Sequence, residues 1–201
     1  MANDDGARRR AAREAVEGFC EVYKGIMEEK NFKVSICSHI RVYLERYIYF
    51  NDGYDRQLMQ DLRLIDASPS GGAVWELTIT EFWANLNGVM HGGAYGVIFD
   101  MCTAISMNPI AREGYWEFLA GVTRSLNISY LKAVPIGTTI RIRANVVQHG
   151  RTMALISAVM ESPDGKVVYA TAEHHKVHVP AQPEYAQRMN EWRRQRELAK
   201  L

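Results

Sequence analysis

One pattern limits the folds open to this chain more than any other. A single long helical stretch, from His91 to about Met107, is preceded by two strand-like runs and followed by four more, with a loop or short helical insertion over Arg112 to Leu119, carrying Tyr115, Trp116 and Phe118, between the helix and the next strand. The leading runs are Leu62 to Ala67 and Ala73 to Thr80; the trailing ones are Val122 to Leu131, Thr139 to His149, Met153 to Ser162 and Val167 to Val179. Their alternation of apolar and polar residues suits half-buried strands. Between them lie the turns Ser68-Pro69-Ser70-Gly71-Gly72, Pro135-Ile136-Gly137, His149-Gly150-Arg151 and Pro163-Asp164-Gly165, two of the last three rich in the residues that hairpins favour. Strands and helices do not alternate, which excludes a βαβ dinucleotide fold. The expected class is α+β, an antiparallel sheet wrapped around one long central helix.

That helix has two faces. Tyr95, Ile98, Phe99, Cys102 and Ile105 recur at helical spacing and form a bulky apolar side for the sheet. Gly93, Gly96, Val97, Asp100, Ala104 and Met107 form the other, small around Asp100 and open to close approach. At the helix entry stands His91-Gly92-Gly93, where the first backbone N–H groups lack intrahelical partners and carry the positive end of the dipole. Glycine there lets an oxyanion come near. Gly92 and Asp100 are eight residues apart, roughly 12 Å along a helix axis. One helix therefore cannot bring both groups to one reacting carbon, and if both act they come from two subunits.

The spacing Asn85 … His91-Gly92-Gly93 … Asp100, followed by Gly121-Val-Thr-Arg-Ser-Leu-Asn-Ile-Ser-Tyr130, closely resembles the hotdog-fold acyl-CoA thioesterases. The branch it resembles is the PaaI-like one of the four-hydroxybenzoyl-CoA thioesterase superfamily, over about residues 58 to 179. That resemblance implies hydrolysis of an acyl thioester of CoA, or of a carrier protein's pantetheine arm. It implies Asp100 as general base or as nucleophile, and the Gly92 amide as oxyanion donor. Asn85 would hold the carbonyl or the water, Thr123 would orient the water, and His91 would anchor the loop that presents Gly92. Gly93 and Arg151 would serve substrate binding, Arg151 near the CoA phosphates. It further implies a homodimer or a dimer-of-dimers tetramer with sites at the subunit interface, and no cofactor.

Each assignment competes with a plainer one. Asp100 could cap a neighbouring amide, Asn85 could stabilise a turn, and Arg151 could be a solvated turn charge. His174-His175-x-x-His178 has a metal-like look, yet in a strand His174 and His178 share a face while His175 points away, and two ligands without a convergent acid make no site. No metal is expected. A non-catalytic acyl-CoA-binding module is the alternative from another class, and the intact HGG and Asp100 weigh against it.

The flanks are separate units: residues 1–55 an N-terminal helical extension, 56–180 the hotdog domain, 181–201 a charged tail expected to be helical. Val16, Phe19, Cys20, Tyr23, Ile26 and Met27 mark one amphipathic helix, and Ile36, Cys37, Ile40, Tyr43, Leu44 and Tyr47 a second, with residues 1–12 frayed before them. The pair would pack on the domain's flank or cover the acyl tunnel. A net charge of +1 offers no field for nucleic acid or a membrane surface. Three cysteines without metal or disulfide spacing suit a reducing compartment. No apolar run is long enough to span a bilayer. Arg8-Arg9-Arg10 lacks the apolar segment of a secretory signal, and the acids around it disfavour a transit peptide, so the expected location is cytoplasmic, with mitochondria as the alternative.

Overall fold

The computed structural model of the chain describes residues 2–35, 53–117 and 121–198. In chain order the elements are α1 (Ala2–Ser35), α2 (Tyr54–Asp61), β1 (Arg63–Ala67), β2 (Gly72–Thr78), the central helix α3 (Gly92–Ile105), β3 (Val122–Tyr130), β4 (Thr139–His149), β5 (Met153–Glu161), β6 (Val168–Val177) and α4 (Pro183–Leu198). Six strands form one antiparallel sheet in the order β1-β2-β4-β5-β6-β3. The strands that follow the central helix thus lie in the interior and at one edge, while β1 makes the other edge. The expected architecture, a sheet curled around one helix, is the one the chain forms.

The bulky face of α3 meets this sheet. Ile98, Phe99, Cys102 and Ile105 are buried against inward residues of the strands, among them Trp75, Leu77, Ile140, Ile142, Ile156 and Ala172. Removal of this much apolar surface from water is the main term holding the layers together. The sheet's outer face instead carries ion pairs: Glu76 accepts from Arg141 at 2.6 Å and also bonds Arg63, and Arg143 lies 2.8 Å from Glu161. Such a face tolerates water, so no second helical layer is required there.

Helix α1 sits on the flank of the domain, against β1, α2 and α4 and the 3-10 turn Asn108–Ile110 that follows α3. Val16 and Phe19 are buried, the Tyr23 hydroxyl donates to Asp55 at 2.6 Å, and Arg13 donates to the Ile65 carbonyl at 2.8 Å. The expectation that residues 1–12 are frayed is corrected, because the helix already begins at Ala2. Its first turns carry the pairs Asp4–Arg8 and Asp5–Arg9 at i,i+4, and Arg9 reaches Asp66 of β1 at 3.0 Å. The second expected helix, over 36–47, lies outside the described residues. Trp192 of α4 lays its ring over Gly18 of α1, where any Cβ would fall within 2.1 Å of it, and its Nε1 donates to Glu21 at 2.7 Å. Among the described residues no helix is long and apolar enough to cross a membrane.

Candidate active site

The site has two parts on one helix. At its entry, His91 is the N-cap: its backbone is extended, and its Nδ1 accepts from the Gly93 N–H at 2.9 Å. That contact makes Nδ1 the unprotonated nitrogen and occupies the Gly93 amide. The Gly92 N–H forms no hydrogen bond with the described residues, and a Cβ built on Gly92 would meet nothing within 4 Å. Packing within the chain therefore does not require glycine here. From the other side Tyr130 donates to the Gly92 carbonyl at 3.1 Å and packs edge-on against Tyr95.

The preceding loop is wound by Asn85, whose Oδ1 accepts from the Asn87 N–H at 2.9 Å while its own N–H donates to Val89. This is the turn-forming role weighed above, and it leaves the amide Nδ2 without a partner among the described residues. Asn85, Leu86, Asn87, His91 and Gly92, with Glu81 and Ala84, line an open cleft of about 630 Å³.

Two turns further along α3, the Asp100 side chain is 41% exposed. Its Oδ1 accepts from the Thr123 hydroxyl at 2.6 Å, and no described residue hydrogen-bonds Oδ2. Behind it lies a group that the sequence reading set aside. His174, fully buried, places Nε2 at 2.9 Å from Thr123 Oγ1 and 3.4 Å from Asp100 Oδ1, and Nδ1 at 2.6 Å from Thr103 Oγ1. The expectation that no acid converges on the histidines is thus corrected: β6 pairs with β3 across the sheet, and that register sets His174 beneath Asp100. His178 faces the Trp116 ring instead. Among the described residues no three metal-ligating side chains cluster.

Burial, and after it the charge of Lys176, hold the His174 imidazole down at about 4, against the pull of Asp100. At neutral pH it is therefore uncharged and carries one proton. If Nδ1 held that proton, Thr123 would have to donate to Nε2, leaving its oxygen 2.6 Å from a carboxylate with no hydrogen between. The arrangement that keeps a hydrogen in the Thr123–Asp100 contact runs from Nε2–H to Thr123 and from the Thr123 hydroxyl to Asp100, while the Thr103 hydroxyl sits between Nδ1 at 2.6 Å and the Phe99 carbonyl, to which it donates at 2.6 Å. The Nε2–H and the Thr123 hydroxyl both point toward the carboxylate, with Oδ2 left for a reacting proton.

A stability prediction follows from the same group. Unfolded His174 titrates near its ordinary 6.5 and folded His174 near 4, so between these values the unfolded chain binds the extra proton. This contribution is complete above pH 6.5 and is lost as pH falls toward 4, by roughly 3 kcal/mol in all. Urea unfolding at pH 7 and pH 4.5 measures it. His174→Gln should flatten the dependence, and an equally steep one in that variant would assign the acid sensitivity elsewhere.

The segment after α3 folds onto the β4–β5 turn. Trp116, buried and at φ 49°, donates through Nε1 to the Gly150 carbonyl at 2.8 Å, and Tyr115 hydrogen-bonds His149. Its aromatics serve packing, and Arg151 stands exposed on the turn they brace. Phe118 lies outside the described residues.

Residues 87–169, which include His91, Gly92, Asp100 and Thr123, match the thioesterase superfamily. That segment belongs to the superfamily. Mouse acyl-coenzyme A thioesterase 13 is 26% identical over 124 residues, covering 62% of this chain and 84% of the relative. The crystal structure of zebrafish thioesterase superfamily member 2 aligns with a TM-score of 0.54 at 28% identity, over 61% of this chain and 84% of that one. Escherichia coli PaaI, at 22% identity and a TM-score of 0.52 over 70% of this chain and 99% of that one, shares the fold. The expected resemblance to hotdog thioesterases is borne out, and the class of chemistry of this thioesterase domain is thioester hydrolysis.

In one copy of the thioesterase domain, the free Gly92 amide and the Asp100 carboxylate remain about 12 Å apart along the helix axis.

Proposed function

We propose that the thioesterase domain hydrolyses acyl-CoA, each working site combining Asp100 and Thr123 of one copy with Gly92 and Asn85 of a second. The observation that carries this reading is the chain of donors ending on Asp100 Oδ1 with Oδ2 open. It is the arrangement a general base needs. Water attacks the thioester carbon and passes a proton to Asp100 Oδ2. The negative charge that develops on the carbonyl oxygen is held by the second copy's Gly92 N–H at the positive end of its helix, with the Asn85 side-chain amide as further donor. Collapse breaks the C–S bond, and the proton held by Asp100 goes to the departing thiolate. The products are a free acid and a thiol.

Two features support a second copy. The Gly92 amide and Asp100 cannot serve one carbon within a chain. Strand β3, which carries Thr123, is also an edge strand with Val122 and Tyr130 exposed, and exposed edges invite pairing. Arg151, exposed on the β4–β5 turn, would meet the CoA phosphates as a point charge or fork.

The test is release of free thiol by the purified protein from short, medium, long and aryl acyl-CoAs, alongside the same acyl groups on a carrier protein. Turnover of at least one CoA ester is expected. Turnover of carrier-bound substrates alone would transfer the proposal to the pantetheine arm, and binding without turnover would make the domain an acyl-CoA-binding module.

A further inference from the structure

Lys176 has no part in the steps above, yet it is buried two residues from His174 on the same inward face of β6. It is 2% exposed, stands directly across the β3–β6 ladder from Thr123, and faces Ala154 on β5. Among the described residues no carboxylate lies within ion-pairing distance of it. Burial lowers its basicity and Asp100 raises it, so Asp100 is the acid it senses.

The charges around His174 can be counted. Asp100 and Thr103 approach from α3, Thr123 and Leu126 from β3, the uncharged Ile156 from β5, and Lys176 and His175 belong to β6 itself. On the inward face one carboxylate, Asp100, faces two basic groups, His174 and Lys176, while His175 alternates to the other face of β6. A single acid can neutralise one buried cation, and a second would be left uncompensated in a low-dielectric setting.

We propose that Lys176 is a positioning residue for the hydrolysis: its buried ammonium is the one cation the cluster holds, so His174 stays uncharged and no imidazolium pairs with Asp100. The distances explain why the cation belongs on Lys176. An imidazolium would stand 3.4 Å from Asp100 Oδ1 and pair with the base, whereas the ammonium is too far away to form an ion pair. A charge close enough to pair weakens a base more than one farther off. The inference rests on Asp100 as general base, and its first readout does not.

The experiment uses Lys176→Met, which keeps the bulk and removes the charge, with Lys176→Gln as a second uncharged form should the methionine variant not fold. Ring-carbon NMR of labelled protein follows the ionisation of His174, and thiol release gives kcat/KM from pH 4 to 9. The variant should raise the His174 ionisation by about one pH unit or more, which is about tenfold in its protonation constant. The acidic limb of kcat/KM should rise with it. Activity at pH 4 should fall by about fivefold against wild type while that at pH 7 and above stays within about threefold. Lys176→Arg should restore both. An unmoved His174 titration, or a loss of activity equal at every pH, overturns the proposal. A wild type that releases no thiol from any acyl-CoA defeats the base reading instead, and the NMR titration still decides whether Lys176 governs His174.

Discussion

Asp100→Asn is expected to lower kcat for thioester hydrolysis by about a thousandfold, with KM changed by no more than about threefold. The amide has the shape of the carboxylate, and its oxygen can still accept from Thr123, so the hydrogen-bond chain and the substrate surface persist. What it cannot do is take a proton from water. A drop in kcat at nearly constant KM is the signature of an interaction used only on the way to the transition state.

The same variant tests the shared site when combined with Gly92→Pro. Proline suits the first position of a helix, and His91 before it already has the extended backbone, φ −66° and ψ 137°, that a residue preceding proline adopts. The substitution therefore removes little besides the amide proton, and alone it should cost about 10² to 10³ in kcat. In an equal mixture of the two variants, half of the dimers are mixed and one of their two sites has both Asp100 and Gly92 intact. About a quarter of wild-type activity should return. No recovery beyond the sum of the separate variants would place Asp100 and Gly92 in independent sites.

The parts of this molecule that were legible in the sequence are those set by local periodicity. The central helix and all six strands follow from alternation, helical spacing and the turn residues between them, with ends within one or two residues of those observed. Asn85, Gly92, Asp100 and Thr123 stood out because a motif ordered them along the chain. His174 did not, because its meaning depends on strand pairing. It touches Thr123 at 51 residues' separation and Thr103 at 71, and β6 meets β3 only through the sheet order. The usable signal was register: Ala170, Ala172, His174 and Lys176 alternate on the inward face, where a histidine and a lysine require partners. The early start of α1 was also signalled, by Asp4–Arg8 and Asp5–Arg9 at helical spacing, a pattern outweighed there by the density of charge.

That dependence on strand pairing gives the second large effect, at a residue outside the chemistry. Gly121→Ala should lower stability by roughly 3 kcal/mol, of which about 1 to 2 is the cost of a side chain in the left-handed region and the rest steric. Gly121 has φ +75°, and a Cβ there would lie 2.2 Å from the Val177 carbonyl oxygen and 3.0 Å from the His178 Cα. These obstacles are backbone, so no side chain can swing aside. Relief requires the start of β3 to lift from β6, where Val122 pairs with Val177 and Thr123 with Lys176. The lift carries the Thr123 hydroxyl away from Asp100 and His174, so activity should fall with stability. For a chain of this size the melting temperature should drop by about 10 °C. Gly25→Ala in α1, where φ is ordinary and nothing lies within 4 Å, should instead raise it slightly. A Gly121→Ala protein that melts within about 2 °C of wild type would mean that the β3–β6 register does not depend on this glycine, and that Thr123 is held in place by the hydrogen bonds it makes rather than by the strand that delivers it.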